Sequence, residues 1–210
     1  MPHVTLLGDS IFDNDRYVPG GPSVIEHLRK CLPSGWQASL SARDGAVTSM
    51  VAGQLARMPA DATHLVVSVG GNDALAQSVV ILTEPATSFA EVLSRLADMR
   101  EEFLRDYRDM LRLVLARGLP TAVCTIYDSI PELGRVQATG LCVFNDVILR
   151  EAFRAGLPVI DLRLVCNDPD DYSKMSPIEP SGAGGGKIAR AICRLLTEYD
   201  LQSERSRVFG

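Results

Sequence analysis

Along the chain, short uninterrupted apolar runs alternate with longer stretches in which apolar residues recur every third or fourth position. The first run is His3–Leu7, stopped by Gly8; Trp36–Ser41, Leu65–Val69, Thr121–Ile126 and Pro158–Leu162 follow it. Runs that stay apolar instead of alternating suit strands of a parallel sheet buried on both faces. Helical spacing covers Ser23–Cys31, Val47–Arg57, Ser88–Arg117, Gln137–Ala155 and Lys187–Tyr199. In the longest of these, Phe89, Val92, Leu96, Met99, Phe103, Tyr107 and Met110 share one face, and Glu101, Arg105 and Asp109 fall on the other. Thr87 or Ser88 can cap it, Glu91 sits at capping-box spacing from Ser88, and Gly118-Leu119-Pro120 ends it. Strands alternating with helices in this way predict an α/β three-layer sandwich, with a five-stranded parallel sheet and right-handed crossovers. Residues 1–201 are expected to form a single domain, with 202–210 a loose C-terminal tail.

Composition narrows the function more than the fold. The 210 residues are 46% hydrophobic and 22% charged, with a formal net charge of −5 and a sequence pI near 5.2. That balance fits an ordinary globular chain and lacks the basic footprint a nucleic-acid binder needs. No apolar run approaches the ~20 residues that would span a bilayer, so no membrane partner is expected. The amino terminus reads as a strand and not as a leader peptide. The five cysteines, Cys31, Cys124, Cys142, Cys166 and Cys193, are scattered, without zinc or redox spacing. Free thiols in a reducing cytoplasm are therefore the expectation.

In open parallel sheets, ligands bind beyond the carboxyl ends of the strands, where strand order reverses. The residues that follow the strands are therefore the informative ones. They are Gly8-Asp9-Ser10 with Asp13-Asn14-Asp15, then Arg43-Asp44-Gly45, Gly70-Gly71-Asn72-Asp73, Tyr127-Asp128-Ser129, and the long loop from Arg163 to Gly186. Ser10 is a hydroxyl on a tight turn. Asn72 can offer its amide to a developing oxyanion, Gly45 a bare backbone N–H, and Arg43 a cation. A nucleophile with convergent donors points to acyl transfer through a serine. Taken singly, each of these residues is equally well an ordinary turn former.

Together, Gly8-Asp9-Ser10, Gly45 and Gly70-Gly71-Asn72-Asp73 resemble the first three blocks of the SGNH (GDSL-type) hydrolases. The resemblance spans nearly the whole chain. It implies the flavodoxin-like SGNH fold, Ser10 as nucleophile, no cofactor and no metal, and a small-molecule acyl ester as substrate. The implied oxyanion hole is the Ser10 N–H, the Gly45 N–H and the Asn72 side chain, with Asp9 and Asp73 bracing their turns. The second block is looser than the family's, and Arg43 beside Gly45 is a candidate to share the oxyanion role. The last block departs outright: where the family carries Asp-x-x-His, this chain has Ser176-Pro177-Ile178-Glu179.

None of the three histidines can substitute. His3 and His64 sit at the amino ends of their strands, roughly 16 Å from the far rim, and His27 lies within a predicted helix. Glu179 is then the candidate base. With an ordinary carboxylate pKa of ~4.3 against ~6.5 for histidine, full proton transfer to it costs ~3 kcal/mol more. Burial beside apolar neighbours would recover part of that. The expected activity is a serine esterase or lipase-like hydrolysis of small acyl esters through the pair Ser10–Glu179. The alternative is a catalytically degenerate binding protein for a carboxylate or sugar. The acidic residues Asp9, Asp13, Asp15 and Asp73 could hold Mg²⁺ in another reading, but Asp13–Asp15 read as solvated loop charges. Asp168–Asp171 reads as a turn cluster, and Gly182–Lys187 lacks phosphate-loop spacing.

Overall fold

A computed structural model describes residues 1–201 and 206–210. Six parallel strands form one sheet: β1 (His3–Gly8), β2 (Gln37–Leu40), β3 (His64–Ser68), β4 (Thr121–Cys124), β5 (Val159–Ile160) and β6 (Val208–Phe209). Their order is β2-β1-β3-β4-β5-β6. The fold class is the expected one, with six strands in place of five. The extra strand comes from Val208–Phe209, in the stretch expected to be a loose tail; Phe209 is buried and β6 pairs with β5. Of that stretch, residues 202–205 lie outside the described residues.

The helices are α1 (Val24–Cys31), α2 (Val51–Leu55), α3 (Gly71–Thr83), α4 (Phe89–Leu115), α5 (Arg135–Arg154), α6 (Leu162–Val165) and α7 (Gly182–Glu198). They cover both faces of the sheet because its strands are apolar on both. Val4, Leu6, Val66 and Ile160 pack beneath α1 and α7, against Leu28, Ile188 and Ile192. Leu7, Leu65, Val67 and Val123 face the other way, onto Phe103 and Tyr107 of α4 and Phe144 and Ile148 of α5. Ser88 caps α4 as its spacing predicts, its Oγ accepting from the Glu91 N–H at 3.1 Å.

Two helix boundaries depart from the sequence pattern for local reasons. An unforeseen helix, α3, starts directly at Gly71: Gly70 takes the left-handed conformation (φ 119°) against Phe103, and the chain turns straight from strand into helix. The last helix begins at Gly182, not Lys187. A side chain at Gly184 would lie 2.1 Å from the Asp171 carbonyl oxygen, so the glycines let α7 pass close over that loop.

Strand order turns back between β1 and β3, so their carboxyl ends diverge into the loops that begin at Gly8 and Gly70. Side-chain amides secure two of these strand ends. Gln54 of α2 both donates to the Gly8 carbonyl and accepts from the Gly8 N–H, each at 2.7 Å. Asn145 of α5 does the same for Ile126, at 2.9 and 2.8 Å. The Gly8 carbonyl also accepts from the Arg43 N–H, just past β2, at 3.0 Å. Replacing Gln54 by Leu removes the acceptor of the Gly8 N–H, while the Gly8 carbonyl keeps the Arg43 N–H, with an expected stability loss of about 1–3 kcal/mol in urea unfolding.

Candidate active site

Ser10 follows β1 at the point where the strand order turns back. Its turn is held by Asp9: the Asp9 carbonyl accepts from Phe12 N–H (3.2 Å) and Asp13 N–H (3.1 Å), and Asp9 Oδ1 accepts from Ile11 N–H (3.1 Å). Asn72, in the first turn of α3, lies across the same cleft. Its Nδ2 donates one hydrogen to the Ala46 carbonyl at 3.0 Å, leaving the amide's second hydrogen over. Asp73 accepts from both the backbone N–H and the hydroxyl of Thr48, tying α3 to the loop after β2. Asp44, in that loop, takes the Arg16 guanidinium at 2.9 Å and the Tyr17 hydroxyl, and its own N–H donates to Asp13 Oδ2. Asp13 is thus a loop-to-loop acceptor and not the solvated charge expected of it; Asp15 is exposed.

Glu179 arrives from the long loop before α7. That loop is folded back on itself: Ser173 N–H donates to the Glu179 carbonyl, Glu179 N–H to Ser176, and Tyr172 pairs with Pro180. Three ties fix it to the rest of the rim. The Tyr127 hydroxyl donates to the Ile178 carbonyl (2.6 Å), Asn14 Nδ2 to the Pro180 carbonyl (3.1 Å), and the Ser173 hydroxyl to the Tyr17 carbonyl (2.6 Å). Beneath it, buried Asp171 pairs with Lys187 at 2.7 Å and caps the Asp168 N–H. Asp168–Asp171 is therefore the foundation of the loop that delivers Glu179.

Asp9, Ser10, Asn72 and Glu179 line one cleft of about 770 Å³, its open mouth included. The remainder of its wall is mainly apolar, with Ile81, Ile126, Leu133 and Phe144 among its residues. The Ser10 side chain faces the Glu179 carboxyl and favours its ionised form. Burial outweighs that effect: Glu179 is 4% exposed, its Oε2 has no hydrogen-bond partner among the described residues, and desolvation pushes its pKa up to about 7. Asp9 is pushed up to about 8, again chiefly by burial, with the Ile11 N–H opposing and the charges of Glu179 and Asp73 adding. Burial raises Asp73 as well.

Not every candidate shares the cleft. Gly45 and Arg43 are exposed and do not line it, although Asn72 holds the adjacent Ala46. The Ser10 and Gly45 N–H groups have no hydrogen-bond partner among the described residues. None of the histidines reaches the cleft: His3 bonds Ser39, His64 lies against Trp36, and His27 packs on Gly186. The sequence singles out no apolar wall for the site and no role for Tyr127 or Asn14. Tyr127 was visible only as the residue after a strand, and the wall residues only as helix faces.

The arrangement coincides with a known family over most of its length. A GDSL-like lipase/acylhydrolase family model matches residues 6–185. The chain belongs to that family. Three solved structures show how widely the fold is shared at low identity. A lipase from a goat rumen metagenome is 18% identical, covering 96% of this chain and 100% of that one, with a TM-score of 0.74. A variant of an acetyl xylan esterase from Geobacillus stearothermophilus is 16% identical over 96% and 97% of the two chains, at 0.67. A psychrotrophic esterase from Pseudoalteromonas sp. is 13% identical over 94% and 100%, at 0.63. No curated protein matches the chain in sequence. As a family member the chain is an ester hydrolase of the α/β three-layer type.

Proposed function

We propose that this protein hydrolyses acyl esters, small ones included, through an acyl-Ser10 intermediate, with Glu179 as the base. The observation that carries the reading is the burial of Glu179 beside Ser10 with a pKa of about 7. Burial closes the gap that made a carboxylate a poor stand-in, since an ordinary histidine lies near ~6.5. Near neutral pH a large share of Glu179 is ionised, yet basic enough to take a proton.

In the proposed sequence, Ser10 Oγ bonds to the acyl carbon while its proton passes to Glu179. The carbonyl oxygen becomes an oxyanion facing the Ser10 N–H and the spare hydrogen of Asn72 Nδ2. Collapse of the tetrahedral species expels the alcohol, which leaves with the proton from Glu179. A water molecule then gives its proton to Glu179, attacks the acyl carbon and releases the acid, and Ser10 recovers its proton. Donors already aimed at the developing charge need no reorganisation during the reaction.

The test is covalent. The Pseudoalteromonas esterase is described as inhibited by monoethylphosphonate. A fluorophosphonate is expected to label this protein at Ser10 alone, with loss of p-nitrophenyl acetate turnover in step with labelling. Intact-mass and peptide mass spectrometry read both. A folded protein that neither labels nor turns over acetate would instead be a binding protein on the hydrolase scaffold, with Ser10 and Asn72 holding a carboxylate or sugar.

A further inference from the structure

A nucleophile and its base commonly work with a third group, which orients the base and stabilises it once it holds the proton. The last block supplies none: three residues before Glu179 stands Ser176, whose carbonyl accepts from the Glu179 N–H at 3.0 Å. A carboxylate reaches the base from another loop instead. Asp44 follows β2, and its backbone N–H is fixed to Asp13 Oδ2 at 2.9 Å. Its carboxylate accepts from the Tyr17 hydroxyl, at 3.2 Å on Oδ1 and 3.1 Å on Oδ2, and from Arg16 at 2.9 Å. The Tyr17 carbonyl accepts in turn from the Ser173 hydroxyl at 2.6 Å, and the Ser173 N–H donates to the Glu179 carbonyl at 2.8 Å. Tyr17 thus joins the loop after β2 to the loop that delivers the base.

Resting on the ester-hydrolase reading, we propose that Asp44 is the third member of this site, a positioning residue that acts on Glu179 and not on the substrate. It works in two ways. The bonds through Tyr17 and Ser173 hold the base loop against the rim. The negative charge of Asp44, whose side chain is only 25% exposed, disfavours a second charge on Glu179 and so makes it the stronger proton acceptor. Arg16 sits on the same carboxylate, lies over the Tyr17 ring and opposes that effect. The ion pair therefore grades the base without adding a whole charge beside it. The other ionisable groups facing Glu179 are Asp9 after β1, Tyr17 and, after β4, Tyr127. Burial pushes all three toward their neutral forms, which leaves Asp44 and Arg16 as the charges that act near neutral pH.

The test compares Asp44→Asn and Arg16→Gln with the wild type. The first keeps the backbone bond to Asp13, and the second changes a side chain that is 71% exposed. Two readouts follow Glu179. One is the acid limb of kcat/KM for p-nitrophenyl acetate. The other is a carbon-13 NMR titration of glutamate-labelled protein, with the Glu179 carboxyl assigned by its loss in Glu179→Gln. Asp44→Asn is expected to move both midpoints to lower pH by ~0.5–1 pH unit and to lower the plateau several-fold, and Arg16→Gln to move both midpoints to higher pH by less. A loop that had merely loosened would wet Glu179 and lower the midpoint in both variants alike, so opposite directions mark the charge. Asp44→Glu, which keeps the charge and an acceptor for Tyr17, should return to the wild-type profile. Midpoints unmoved in Asp44→Asn, or falling together in the two variants, overturn the proposal. If Asp44→Asn does not fold, Arg16→Gln decides alone, and a midpoint that fails to rise overturns it. A protein inactive on acetate whose NMR midpoints still move apart removes the hydrolase reading and leaves the link between Asp44 and Glu179.

Discussion

Glu179→Gln is expected to lower kcat/KM for p-nitrophenyl acetate by between ~10²–10⁴-fold, the usual contribution of a positioned base, and ~10⁶-fold, the loss when a serine–base pair collapses. The amide keeps the shape of the side chain and the backbone bonds that hold it, Ser173 N–H to the Glu179 carbonyl and Glu179 N–H to Ser176. Only the ability to take a proton goes. Ser10→Ala should fall to a similar level, and the double variant little further, because two groups that act as one unit lose their effect together. In the wild type kcat/KM should rise about tenfold per pH unit below ~7 and level off above it. The sign follows from the direction of the shift: burial raises Glu179 to about 7, so at lower pH it already holds a proton and cannot accept that of Ser10. The charges facing it are Asp44, which raises its pKa, and Arg16, which lowers it. Asp9 lies on the same cleft. A profile flat from pH 5 to 8, or a Gln variant as active as the wild type, would remove Glu179 from the chemistry.

How much of this was readable beforehand depends on the range of the interactions involved. The strands were legible because burial on both faces makes them continuous apolar runs, and so was most of the polar rim, because Ser10 and Asn72 follow their strands closely, whereas Glu179 comes from the long loop before α7. Short elements were not. Val208–Phe209 carries no periodicity in two residues, and its strand exists only because β5 offers an open edge. The α3 helix was hidden by the Gly70-Gly71 pair, a breaker in sequence terms that here takes the left-handed turn needed to enter a helix from a strand. At the site, the identity of Glu179 and its position in the last block were plain, while the size of the shift in its pKa was not. That shift comes from burial under the loop, which Tyr127, Asn14 and Ser173 fasten by bonding to residues far apart in the chain.

The second large effect is on stability, and it belongs to Asp9. Burial holds its pKa near 8, so at neutral pH it is mostly a neutral acid. That state suits the proposed mechanism, in which a second full charge beside Glu179 would oppose both the ionised base and the oxyanion. It also costs stability in a defined window. Between the unfolded value of ~3.9 and the folded value, the native state keeps a proton that the unfolded chain has released, so stability falls as pH rises across that range. The loss begins above pH ~4 and is complete a little above pH 8. At ~1.36 kcal/mol per unit, the interval from pH 5 to pH 9 accounts for about 4 kcal/mol from this one carboxyl. Asp9→Asn removes the titration and keeps an acceptor for the Ile11 N–H that Oδ1 serves at 3.1 Å. In urea unfolding the variant should therefore gain on the wild type by about that amount between the two pH values, with similar m-values. Glu179, raised for the same reason, adds a smaller slope of the same sign to both proteins and leaves the difference intact. Parallel pH dependences for variant and wild type would mean that Asp9 ionises in the folded protein as readily as in the unfolded chain, and that the cleft is wetter around β1 than its packing implies.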